Sequence, residues 1–201
     1  MKLVLFILAA LMFNAPYTEK WVIERGSNLC IEGRSNINSF RCDIKEYLQP
    51  DTIYVTKDRQ GMKPFPVNGG LTIDIKRFDC HQKHITNDLR KTLKADEQPQ
   101  LKIRLLDIGY YNGNANNIRG WVSIELAGIT KKTVVDYQVK HDQPDLLLLN
   151  GSRQLKFSDF GLQPPQKLAG LIKVEEELTV KFQLVLRALK ADTNRLVPKN
   201  D

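Results

Sequence analysis

Histidine, cysteine and tryptophan are scarce in these 201 residues, at three, three and two. With His81, His84 and His141 as the only imidazoles, and no Gly-x-Ser-x-Gly elbow around any serine, the chain lacks the usual parts of a nucleophile held by a base. It also lacks a Gly-rich phosphate loop, so Asp159-Phe160-Gly161 has none of the partners that would make it a kinase element. Basic residues outnumber acidic ones 30 to 23 but are scattered rather than striped. That argues against a nucleic-acid grip, while a net charge of +7 still favours anionic surfaces. Glu175-Glu176-Glu177 reads as a solvated turn rather than a pair of catalytic carboxylates.

Long hydrophobic runs are nearly missing as well. Residues 3–13, behind Lys2, are long enough for a secretory h-region and well short of the ~20 residues of a membrane span. Residues 1–16 are therefore expected to be a signal peptide, and the protein to be periplasmic or secreted. No clean Ala-x-Ala precedes Ala15 and Pro16 is a poor residue after a scissile bond, so a retained anchor is the alternative.

What the chain does have is alternation. Leu178, Val180, Phe182, Leu184 and Leu186 alternate with Thr179, Lys181, Gln183 and Val185, and Leu155 and Phe157 precede a Gly-Pro-Pro loop on the way there. This reads as a closing hairpin with one apolar face. Leu71, Ile73 and Ile75 form a second such row and Leu101, Ile103 and Leu105 a third, while Val122 and Ile124 sit in another predicted strand. Asn68-Gly69-Gly70 and Asn150-Gly151 read as tight turns. One helix is predicted over residues 82–94 from Ile85, Leu89 and Leu93, with Pro99 beyond it. Many short strands and one side helix predict an all-β domain over residues 20–189, a closed antiparallel barrel, followed by a polar tail at 190–201.

Trp21-Val22-Ile23, Ser39-Phe40, Asn87-Asp88-Leu89-Arg90-Lys91 ahead of Pro99, Gly128-Ile129-Thr130-Lys131 and Phe157-Ser158-Asp159-Phe160-Gly161 occur in an order and spacing that resemble the YceI-like family of exported barrels. The resemblance spans roughly residues 20–188. It implies a lipocalin-like antiparallel barrel of about eight strands with a helix outside, an apolar cavity for a polyisoprenoid or other chain-like lipid, and no catalysis. The Phe-x-Cys contexts of Cys42 and Cys80 resemble a variant from Bacteroidetes-type bacteria.

In an exported chain, three cysteines suggest one disulfide and an odd thiol, and the shared Phe-x-Cys context selects Cys42 with Cys80, leaving Cys30 free. Three reduced, packed thiols are the alternative. A sharper rival is a metal or thiol centre at Asp79-Cys80-His81-x-x-His84, whose residue types are all competent ligands.

The expected function is capture rather than turnover. Leu71, Ile73, Ile75, Leu101, Ile103, Leu105, Val122, Ile124, Phe157, Val180, Phe182 and Leu184 are the predicted inward residues, with no cofactor, no metal and no nucleic acid. The partners expected are an apolar lipid and, transiently, a membrane surface. Alternation does not distinguish a hollow interior from a filled one, so a filled barrel that binds a protein partner through its loops is the competing reading.

Overall fold

The row Leu178 to Leu186 becomes β13 (Glu177–Leu189), a long strand on which the barrel closes. A computed structural model describes residues 16–44, 47, 50–57, 64–111 and 114–189. The expected leader lies outside them except for Pro16, and the polar tail lies outside altogether.

The strands preceding β13 are β1 (Tyr17–Ile23), β2 (Asn28–Arg34), β3 (Ser39–Ile44), β4 (Thr52–Lys57), β5 (Phe65–Asp74), β6 (Gln100–Leu105), β7 (Asp107–Tyr111), β8 (Asn114–Leu126), β9 (Ile129–Gln143), β10 (Leu146–Lys156), β11 (Gln166–Lys167) and β12 (Ile172–Lys173). Every ladder is antiparallel, and all but the small β11–β12 hairpin belong to one sheet. Its path runs from β1 through β4, β5, β6, β8, β9 and β10 to β13, which pairs back with β1. The result is a closed barrel, as the strand pattern predicts, and its eight strands are the number that the family resemblance implies.

Several short strands share one position in the ring. β13 pairs with β1 through Ile23 and Leu186, then with β2 through Asn28 and Gln183. Between them Glu24 to Ser27 bulge, and the Ser27 hydroxyl fills the gap. It donates to the Glu24 carbonyl at 2.8 Å and accepts from the Val185 amide at 2.9 Å. β6 and β7 likewise follow one another along β8.

Two expected turns are instead strand interior. Gly69 and Gly70 lie inside β5, where a Cβ on Gly69 would stand 2.4 Å from the Thr52 carbonyl oxygen and one on Gly70 2.0 Å from that of Ile103. Close approach of both neighbouring strands, not a reversal, demands glycine there. Gly151 lies inside β10, where a Cβ would fall 2.3 Å from the Phe182 ring across the strand pair.

The helix α1 (Lys83–Thr92) connects β5 to β6 outside the ring, and buries Leu89 while Ile85 packs on the core. Thr86 Oγ1 accepts from the Cys80 amide at 2.9 Å, and Arg90 donates to the Phe78 carbonyl at 3.0 Å. The predicted Cys42–Cys80 disulfide is formed, and Cys30 is free and buried.

Candidate functional site

Inward parity on successive strands brings the predicted residues together. Leu71, Ile73, Ile103, Leu105, Val122, Ile124, Val180, Phe182 and Leu184 all line one interior chamber of about 60 Å³. Leu101 and Phe157 line a second chamber of the same size, which shares Ile103, Ile124 and Val180 with the first. Ile75 differs. It is fully buried, but β5 has ended at Asp74 and Ile75 opens a 3-10 turn, so it lines neither chamber.

Both chambers are far smaller than the roughly 300–1,000 Å³ of an occupied ligand pocket. Phe182 is a main reason. Its ring spreads over Gly151 and meets Tyr137 edge-on, with centroids 5.5 Å apart, so it occupies space that a side chain at 151 would take. A third apolar cavity of about 180 Å³ lies beneath α1, lined by Ile85, Leu89, Phe40 and Ile172, and Phe157 forms a wall common to it and the second chamber.

Two phenols border the first chamber. Tyr47 donates its hydroxyl to Asp51, and burial, followed by that hydrogen bond, raises its pKa above the usual tyrosine range. Burial, helped by the charge of Asp107, does the same for Tyr137. Both stay neutral and are suited to orient a polar group rather than to exchange a proton with it.

The rival chemical centre does not assemble. Cys80 is held in the disulfide and has no thiolate to offer, while the His81 ring turns to Asp43 at 2.9 Å and His84 lines the cavity beneath α1. Among the described residues no group of three His, Cys, Asp or Glu is placed to hold a metal ion. Cys30 is buried, and desolvation, then the neighbouring Asp43 charge, push its thiol up to about 11, away from reactivity. Asp159-Phe160-Gly161 is a structural turn: Asp159 accepts from the Lys156 amide at 2.9 Å and pairs with Lys131, Phe160 is buried, and Gly161 closes the turn at φ +61°. Glu176 accepts from the Ser158 amide at 2.7 Å and braces the same turn.

The site contains residues that sequence reading missed, namely Leu29, Ile44, Tyr47, Val135, Tyr137 and Arg153. Tyr137 and Val135 were legible as part of one alternating strand. Arg153 was obscured because a turn placed at 150–151 breaks the parity that runs Leu147, Leu149, Gly151, Arg153, Leu155 along β10.

Comparison with known proteins fits this geometry. A family model for the YceI-like domain matches residues 40–186. Among solved structures the fold is similar to that of Burkholderia cenocepacia BcnA, with a TM-score of 0.63 and 18% identity over 79% of this chain and 95% of that one. It is also similar to a polyisoprenoid binding domain from Saccharophagus degradans implicated in plant cell wall breakdown, with a TM-score of 0.60 and 13% identity over 84% of this chain and 98% of that one. No curated protein gives a significant match. At such identities the structural likeness speaks for the fold alone, whereas the family match covers well over half of the sequence, and the chain belongs to the YceI-like family.

Proposed function

We propose that this protein is a non-catalytic exported carrier that holds an apolar, chain-like lipid, an isoprenoid or acyl chain, inside its barrel. The observation that carries this reading is the run of three neighbouring apolar cavities, the two interior chambers with their shared lining and the cavity beneath α1 that Phe157 divides from the second of them. Each buried methylene is worth about 0.8 kcal/mol to such a ligand, so a chain needs little beyond apolar walls to be held. The Saccharophagus relative is described as polyisoprenoid binding, which supports the same ligand class. A disulfide between Cys42 and Cys80 suits an oxidising compartment.

Transient membrane contact belongs to the same reading. Ile37, Leu168 and Leu171 are 62%, 68% and 73% exposed. They come together because Asn36 donates to the Leu171 carbonyl at 2.8 Å and accepts from the Lys173 amide at 2.9 Å. Ile37 and Ile172 also line the cavity beneath α1, so the tip lies beside that cavity, which supports entry of a lipid there.

The small chambers favour a second reading, a filled barrel that works through its loops, and one experiment separates the two. Native mass spectrometry with lipid extraction on protein taken from its own compartment should show a stoichiometric lipid. A Phe182→Asp variant, folded by circular dichroism, should carry none, because a carboxylate in an apolar chamber is costly to leave unpaired. A clean apo mass for the natural protein, with no uptake from lipid vesicles, would sink the carrier reading and favour the filled scaffold.

A further inference from the structure

The wall of the barrel parts between β9 and β10. Their pairing stops at Asp136 and Ser152, although β9 extends back to Ile129 and β10 runs on to Lys156. Val135 and Arg153, the next residues on each side of the parting, both line the first chamber. Farther along, the turn that follows β10 bridges the gap through the Lys131–Asp159 ion pair.

Arg153 is unusual in this setting. It stands opposite Val180 on β13, at inward parity with Gly151 and Leu155, yet it is exposed to solvent. It is the one charged residue among those that line the chamber. A long side chain satisfies both observations when its alkyl stem follows the apolar wall and its guanidinium reaches water, and that requires an opening at this point. The guanidinium has no ion pair or hydrogen bond among the described residues. Asp136 feels its charge, but the hydrogen bond from Arg119 is the main cause of that carboxyl's lowered pKa, and Arg119 already holds Asp136 at 2.9 Å. Arg153 therefore presents a permanent positive charge, with donors that no described residue occupies, at the edge of an apolar chamber.

We propose that Arg153 is the headgroup anchor of this barrel: the ligand is an amphiphile whose anionic end, a carboxylate or a phosphate, is held at the β9–β10 window while its chain lies in the chamber. The inference rests on the carrier reading above and narrows it from apolar lipids in general to anionic ones. Guanidinium meets either oxyanion through two parallel hydrogen bonds, so the shared chemistry is an oxyanion on an apolar chain.

Isothermal titration calorimetry with palmitate, farnesyl monophosphate and farnesol tests it on the delipidated natural protein and on Arg153→Gln and Arg153→Lys. The natural protein should prefer an anionic ligand to farnesol. Arg153→Gln should weaken that ligand roughly 10- to 100-fold and leave farnesol unchanged, with Arg153→Lys recovering part of the loss. Loss for palmitate alone identifies a carboxylate headgroup, and loss for farnesyl monophosphate alone a phosphate. Equal affinity of the natural protein and Arg153→Gln for every ligand that binds, or equal weakening of all three by the variant, overturns the anchor while leaving the carrier reading intact. Failure of the natural protein to bind any of the three overturns both.

Discussion

At the residue scale, the clearest case is Asp159, whose tripeptide looks catalytic in isolation and proves to be a brace. Its partial burial works against the charged form, but Lys131 and the Lys156 amide outweigh it and hold the carboxyl below the usual carboxylate range. A carboxyl with a depressed pKa stabilises the fold fully above its unfolded value near 4, and that contribution is lost as pH falls through the lower folded value. Asp159→Asn should therefore cost about 1 to 2 kcal/mol at pH 7. In urea melts the two proteins should converge as pH drops towards 2, and a constant gap at all pH values would contradict the assignment. The sequence showed that Asp159 had no catalytic partners; it did not show what Asp159 does, because Lys131 lies 28 positions away on β9 and meets it only in the folded barrel. Arg153 was hidden for a different reason: glycine at 151 mimics a turn residue when the aromatic ring that covers it, Phe182, is distant in sequence.

At the scale of elements, the disulfide closes a seam that hydrogen bonds leave incomplete. β4 pairs with β5 over only three residue pairs, and β3, which precedes it, has no ladder with β5. The chain just past β5 covers that seam: Asp43 and Asp79 exchange backbone hydrogen bonds at 2.9 and 3.1 Å, and Cys42–Cys80 ties the two segments covalently. The bond also positions the start of α1, since Thr86 holds the Cys80 amide. With a sequence separation of 38 between the cysteines, its removal should cost ~3 to 4 kcal/mol on the chain-entropy account. For a domain of this size that corresponds to a fall in Tm of roughly 10 °C, measured by calorimetry on the reduced and alkylated protein. An unchanged Tm with complete alkylation of Cys42 and Cys80 would remove the disulfide from the list of features that hold α1 to the barrel. The pairing was legible from a repeated Phe-x-Cys context, whereas the seam was not, because which strands fail to pair depends on how the ring closes.

At the scale of the whole molecule, alternation was enough to predict a barrel with an apolar interior, since closing the sheet turns one face of every strand inward. The volume of that interior was not legible. It depends on how rings such as Phe182 pack over glycine, and on where a seam parts, neither of which has a period in the sequence. The outer surface has its own polarity. The exposed Ile37, Leu168 and Leu171 sit on two loops that Asn36 ties together, in segments that also carry Arg34, Lys167 and Lys173, and Lys167 is held by Asp88 of α1 at 2.6 Å. Exposed leucines cost free energy in water and recover it in a lipid headgroup layer, and basic neighbours strengthen the attraction to anionic lipid. The natural protein should therefore float with vesicles of neutral phospholipid containing a third of anionic lipid, and a Leu168→Asp/Leu171→Asp variant should stay in the dense fraction. Because both substituted side chains point into solvent, the variant should melt at the temperature of the natural protein. Equal flotation of the two proteins would show that the barrel meets membranes through another face, and no flotation of either would overturn membrane docking.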